Sequence, residues 1–145
     1  MPETDTSRSD RINIDDTVME IYNLLKLELG REKGTSDLDE APFNTFKDIF
    51  MYAACLGYQN RSRKKLSPGK KTTIRREVFS ESDFAILKAI AISDANDVKV
   101  LSNIGEIITI AEEYAYAGIF QLKELLIEQN GRPLWNLVSA LTIKP

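Results

Sequence analysis

Residues 102–126 read SNIGEIITIAEEYAYAGIFQLKELL, and their spacing sets the fold class. Ile104, Ile107, Ile108, Ala111, Tyr114 and Ala115 recur every three or four positions, so they line one side of a helix beginning near Ser102. Gly118 is a poor helix former and predicts a break, followed by a helix carrying Ile119, Leu122, Leu125 and Leu126. Glu112 and Glu113 lie beside the apolar side and are expected on a solvated face.

The same period recurs on either side of this stretch. Upstream, Ser80-Glu81-Ser82-Asp83 has the form of a capping box, with Asp in place of Glu or Gln, and starts a helix bearing Phe84, Ile86, Leu87, Ile90 and Ala91. Asp94, Asn96 and Asp97 then suit caps and a turn; they lack the glycine and distal glutamate of a calcium loop. Further upstream, Asn44 is a good N-cap for a helix that buries Phe46, Ile49, Phe50, Ala53, Ala54 and Leu56, with Gly57 as its left-handed stop. Ile14, Val18, Ile21, Tyr22, Leu25 and Leu29 share one face of a first helix, closed by Gly30, with Asp15, Asp16 and Glu20 at its positive end. A polar loop follows over 31–41. Downstream, Asn130-Gly131 closes a helix and Pro133 opens a last one with Leu134, Trp135, Val138 and Leu141. The expectation is a mainly α protein: one helical domain over 12–145, of five to six helices, behind a flexible arm at 1–11.

Between two of these helices lies the strongest functional signal. The sixteen residues 61–76 hold eight of the nineteen basic side chains and no acid: Arg61, Arg63, Lys64, Lys65, Lys70, Lys71, Arg75 and Arg76. The rest of the chain then stands at −11 around a segment of +8, a contrast that the formal net charge of −3 conceals. Ser67-Pro68-Gly69 is a turn signal, with Gly69 free to take positive φ, so the basic insert at 58–79 reads as a loop or as a short hairpin pairing 63–66 with 72–79. Successive cations on a flexible or ribbon-like element suit the phosphates of a nucleic acid, contacted without reading sequence. Tyr58, Gln59 and Asn60 stand beside them and offer hydrogen bonds or one stacking surface. An acidic protein surface is the alternative target, and a solvated loop the plainest reading.

Little in the chain speaks for catalysis. There is no histidine, which removes the usual general base and the commonest metal ligand, and the single cysteine, Cys55, has no partner for a disulfide or a zinc site. Cys55 is read as a small core residue. Gly69-Lys70-Lys71-Thr72 is not a phosphate-binding P-loop, because Lys64 stands where the earlier glycine is required. A helix-turn-helix over 81–93 and 103–117 fares no better, since the second helix carries Glu106, Glu112 and Glu113 and no base. No cofactor is called for, no apolar run approaches the ~20 residues of a membrane span, and the polar start lacks a secretory signal. A non-enzymatic protein of the cytoplasm is expected.

The stretch PFNTFKDIFMYAACLGYQNRSRKKL at 42–66, with IRREVF, FAILKAIAI and IGEIITIAEEYAYAGI after it, resembles the DNA-phosphorothioation-associated protein 4 family. The likeness spans roughly residues 42–120 and contains no catalytic signature. It implies an accessory of bacterial systems that place sulfur in the DNA backbone and restrict unmodified invaders. Other proteins of the same defence system are then the implied partners, together with DNA.

Overall fold

A computed structural model of the chain describes residues 11–29 and 45–128. Residues 1–10 of the arm expected over 1–11, the Gly30 stop, the loop at 31–41, Asn44, the Asn130-Gly131 stop and the last helix with Trp135 lie outside the described residues. Among those described, the chain runs β1 (Arg11–Asp15), a 3-10 turn (Asp16–Val18), α1 (Met19–Leu29), α2 (Phe46–Gln59), β2 (Lys71–Arg75), a second 3-10 turn (Arg76–Val78), α3 (Glu81–Ala95), a third (Val98–Ser102), and α4 (Ile104–Lys123), which ends in a π-helical turn at Glu124–Glu128. The protein is mainly α, with four α-helices and one two-stranded antiparallel sheet among the described residues.

Against the expected five to six helices, the described residues hold four, because the break expected at Gly118 is absent. Helix α4 passes through Gly118 without a break, because α2 lies against it there. A Cβ on Gly118 would stand 2.7 Å from the Gly57 nitrogen and closer still to the Ala53 carbonyl oxygen. Gly57 is likewise no stop: it is helical, and a Cβ on it would come within 2.8 Å of the Tyr114 carbonyl carbon. Both glycines serve close approach of two backbones rather than chain reversal.

Helix α4 is the centre of the fold. Ile107, Ile108, Ile110, Ala111, Ala115, Ile119 and Leu122 are buried and occupy most of its circumference, as expected of a helix enclosed by its neighbours. Against it lie Ile49, Phe50, Ala53, Ala54 and Leu56 of α2, Leu87, Ile90 and Ala91 of α3, and Tyr22 and Leu25 of α1. Thr45 supplies the α2 N-cap by accepting from the Asp48 N–H, one residue after the expected position. The Ser80–Asp83 box is present with both of its hydrogen bonds. Lys47 on α2 reaches Asp83 at 2.9 Å and ties the starts of α2 and α3 together.

Two readings around the sheet are corrected. Ile14 belongs to a strand and not to the first helix: Ile12 and Ile14 are buried while Arg11 is exposed, an alternation too short to stand out beside the helical period that follows. The expected hairpin of 63–66 with 72–79 does not form either. Strand β2 pairs with β1, Ile74 opposite Ile12 and Thr72 opposite Ile14. The flank 63–66 is RKKL, three cations in a row, whereas β1 brings two buried isoleucines that a partner strand can cover.

Glu112 is not on a solvated face. It is 5 % exposed, and its carboxylate accepts from the Asn13 N–H of β1 at 2.6 Å, so it ties the sheet to α4.

Candidate nucleic-acid interface

The basic segment leaves α2 through a Schellman ending. The Arg61 N–H donates to the Tyr58 carbonyl at 3.0 Å and the Ser62 N–H to the Gly57 carbonyl at 2.8 Å, with Arg61 in the left-handed region at φ 53°. Glycine usually takes that position; here an arginine does. The chain then crosses α4, where the Lys64 N–H donates to the Glu113 carbonyl at 3.1 Å. Next it meets the end of β1. The N–H and hydroxyl of Ser67 each donate to Asp15 Oδ2 at 2.6 Å, and the Asp16 N–H donates to the Lys70 carbonyl at 3.2 Å. Gly69 sits in the bend without positive φ, and a Cβ there would meet open space. The segment is therefore a strap bonded along its length to α4 and β1 before it becomes β2.

Asp15 anchors that strap. It is 1 % exposed and also accepts from the N–H and hydroxyl of Thr17, at 3.0 and 2.7 Å. Burial alone would raise its carboxyl pKa, but the hydrogen bonds from Ser67 and Thr17 outweigh it and hold the group well below the usual carboxylate range. Sequence reasoning gave Asp15 to a helix dipole. Its partner at 67 is fifty-two positions away, a pairing that no local pattern signals.

The eight bases divide by what they touch. Arg63 belongs to the fold: its Nε donates to Glu113 at 2.7 Å and its Nη1 pairs with Asp94, which also accepts from the Tyr114 hydroxyl at 2.5 Å. Burial opposes the charge on Arg63, yet the two carboxylates hold its pKa above the ordinary value. Lys71 turns back on the Ser67 and Gly69 carbonyls. Arg75 is exposed and paired with Glu77 at 2.8 Å, and Arg76 lies over the Phe84 ring at 5.6 Å. Arg61, Lys64, Lys65 and Lys70 are exposed, and none has a carboxylate partner among the described residues. The cations do not form one patch. Lys70 immediately precedes β2 and Arg75 ends it, about 17 Å apart along an extended chain, so the bases make a band across the molecule. Arg11 extends it at the far end, opposite Arg75 in the sheet.

Tyr58 is not an open stacking surface. Its ring packs edge-on against Tyr114 and under Arg61, and its hydroxyl bonds to Ser93. Asn60 donates to Gln121 at 2.9 Å and to the Leu56 carbonyl. The exposed aromatic beside the strap is Phe120, 45 % exposed on α4, which sequence reasoning passed over. A signal existed: Phe120 falls off the apolar side of its helix, four residues after Tyr116, so it is a large apolar group with no place in the core.

Elsewhere, Asp97 caps the third 3-10 turn and Asn96, at φ 56°, ends α3. Among the described residues no group of three or more acidic or cysteine side chains is placed to hold a metal, and no helix is long and apolar enough to cross a membrane. Burial raises the Cys55 thiol pKa, which disfavours the reactive thiolate.

The family model for DNA sulphur modification system-associated protein 4 matches residues 26–143. The chain belongs to that family. The match takes in α2 to α4 and the whole basic strap, and it associates the protein with a DNA sulphur modification system. No curated protein and no solved structure matches the chain.

Proposed function

We propose that this member of the family is a non-catalytic accessory of its system that binds the DNA backbone through the strap and β2. One observation carries the reading: Arg61, Lys64, Lys65 and Lys70 are exposed and, among the described residues, without carboxylate partners, on a segment whose backbone is fixed to α4 and β1. Fixed cations at successive positions neutralise successive phosphates at little ordering cost. Arg75 and Arg76 lengthen the same band. Arg63 and Lys71, counted among the contacts on sequence grounds, are engaged within the protein and are left out.

Fluorescence anisotropy of a labelled duplex tests this. Four neutralised phosphates give a log–log slope of affinity on salt of about −3.6. Absence of binding at ~50 mM salt, where electrostatic contacts are strong, refutes the reading. A second reading follows from the family's association with a system: the same cations dock on an acidic surface of a larger protein of that system. It is recognised by a complex that survives nuclease treatment and is lost with the same lysines.

A further inference from the structure

The outer face of α4 beside the strap carries a feature that backbone binding leaves unused. Phe120 is 45 % exposed, and its ring lies 6.3 Å from that of Tyr116, tilted by 44°. Tyr116 is largely buried, and its hydroxyl is held by Thr17 at 3.1 Å, so the inner ring is fixed. Lys64 spans the two, its Nζ 4.8 Å from the Tyr116 centroid and 5.3 Å from that of Phe120. Gln121, next to Phe120 in the chain, accepts from Asn60, so amide and carbonyl groups stand near a ring that is only half covered.

We infer that Phe120, backed by Tyr116 and flanked by Lys64, is a stacking platform for an unpaired base, which makes single-stranded DNA the preferred form of the ligand. This rests on the DNA reading above and narrows it. In a duplex the faces of the bases are already covered by their neighbours, so an exposed phenyl ring has nothing to stack on. In a single strand every base offers a face, and an aromatic side chain beside a cation takes it without regard to sequence. Lys64 is placed to contact the phosphate of the stacked nucleotide, while Arg61 and Lys65 on the strap follow the backbone beyond it.

The experiment is anisotropy on the full chain with a labelled ~12-nucleotide strand of mixed sequence and with its duplex, in the same salt, long enough for one protein footprint. The wild type is expected to bind the single strand several-fold more tightly. Phe120→Ala is expected to weaken single-strand binding roughly tenfold, the loss of one stacked base, and to leave duplex binding unchanged. Phe120→Trp restores it, which a purely structural role for the ring would not require. Equal losses on both forms, no loss on either, or failure of the tryptophan variant overturns the platform. Duplex binding with an inert Phe120→Ala overturns the platform alone and leaves the backbone reading standing. Absence of binding to both forms overturns the two together.

Discussion

Gly57 on α2 and Gly118 on α4 face one another where the helices cross, each leaving the space into which the other backbone fits. A methyl group at either site must displace main-chain atoms of the opposite helix, which cannot move aside as a flexible side chain can. The crossing lies directly beneath the strap, whose first turn is bonded to the Gly57 carbonyl. The helix crossing and the start of the basic strap are thus tied together.

The first prediction concerns those glycines. Alanine is favoured over glycine in a helix interior by up to about 1 kcal/mol, so a stabilising change is the simple expectation. Here overpacking dominates and costs about 2–3 kcal/mol net. Gly118→Ala and Gly57→Ala are each expected to lower the melting temperature by at least about 5 °C. Gly69→Ala, with open space around its Cβ and no positive φ, is expected to leave it unchanged. Thermal unfolding followed by circular dichroism distinguishes the three, and an unchanged midpoint for Gly118→Ala contradicts the close crossing.

The helices were legible in the sequence because each repeats its apolar positions over three or more turns. The capping box at Ser80 was legible because both of its members lie within four residues. What the sequence hid was long-range. Gly57 and Gly118 look like stops when each is read alone, and only their mutual contact shows otherwise. Ile12 and Ile14 supply too few alternations to mark β1, and the partner strand is some sixty positions away. In the candidate site the bases were plain as a charge run. Their division into Arg63, consumed by Asp94 and Glu113, and Lys65 or Lys70, left exposed, depends on which helices stand beside the strap.

Arg61 makes a second prediction. It holds a left-handed conformation that costs a residue with a Cβ about 1–2 kcal/mol, at a position where glycine is the usual choice. A cation at this strained position fits a binding role. Arg61→Gly is expected to raise the unfolding free energy by up to about 1 kcal/mol while weakening DNA binding. Arg61→Ala keeps the strain and loses the charge, so it weakens binding without the gain in stability. A destabilised Arg61→Gly in urea unfolding rules out the strained turn.

Asp15 gives a pH dependence whose sign follows from its hydrogen bonds. Its carboxyl pKa is lower in the folded protein than the ordinary value of 3.8. The stabilisation is therefore complete above about pH 4 and is lost as the pH falls below that value toward the folded pKa. Asp15→Asn removes the charge and places an amide against the donors of Ser67 and Thr17. It is expected to cost about 2 kcal/mol at pH 7. Other carboxylates titrate in the same window, so the readout is the difference between wild type and variant. That difference should narrow steadily from pH 4 to pH 2.5, and a difference that stays constant argues against an ionised Asp15 at the foot of the strap.

Arg63 separates structure from binding. Its removal leaves Asp94 and Glu113, both partly buried, without their shared cation. The Arg63 side chain is one-third exposed, so solvent screening limits the cost of Arg63→Ala to about 1 kcal/mol. Lys65 and Lys70 are exposed, with no carboxylate partner among the described residues, and the double alanine variant is expected to unfold within about 0.5 kcal/mol of wild type. The binding effects run the other way. With each neutralised phosphate contributing about 0.9 to the salt slope, loss of both lysines shallows it by about 1.8 and weakens duplex binding at low salt. Arg63→Ala, measured well below its melting temperature, leaves slope and affinity unchanged. If Arg63→Ala loses as much affinity as the lysine pair while its stability is untouched, the guanidinium faces the ligand and the division of the strap drawn from its contacts is wrong.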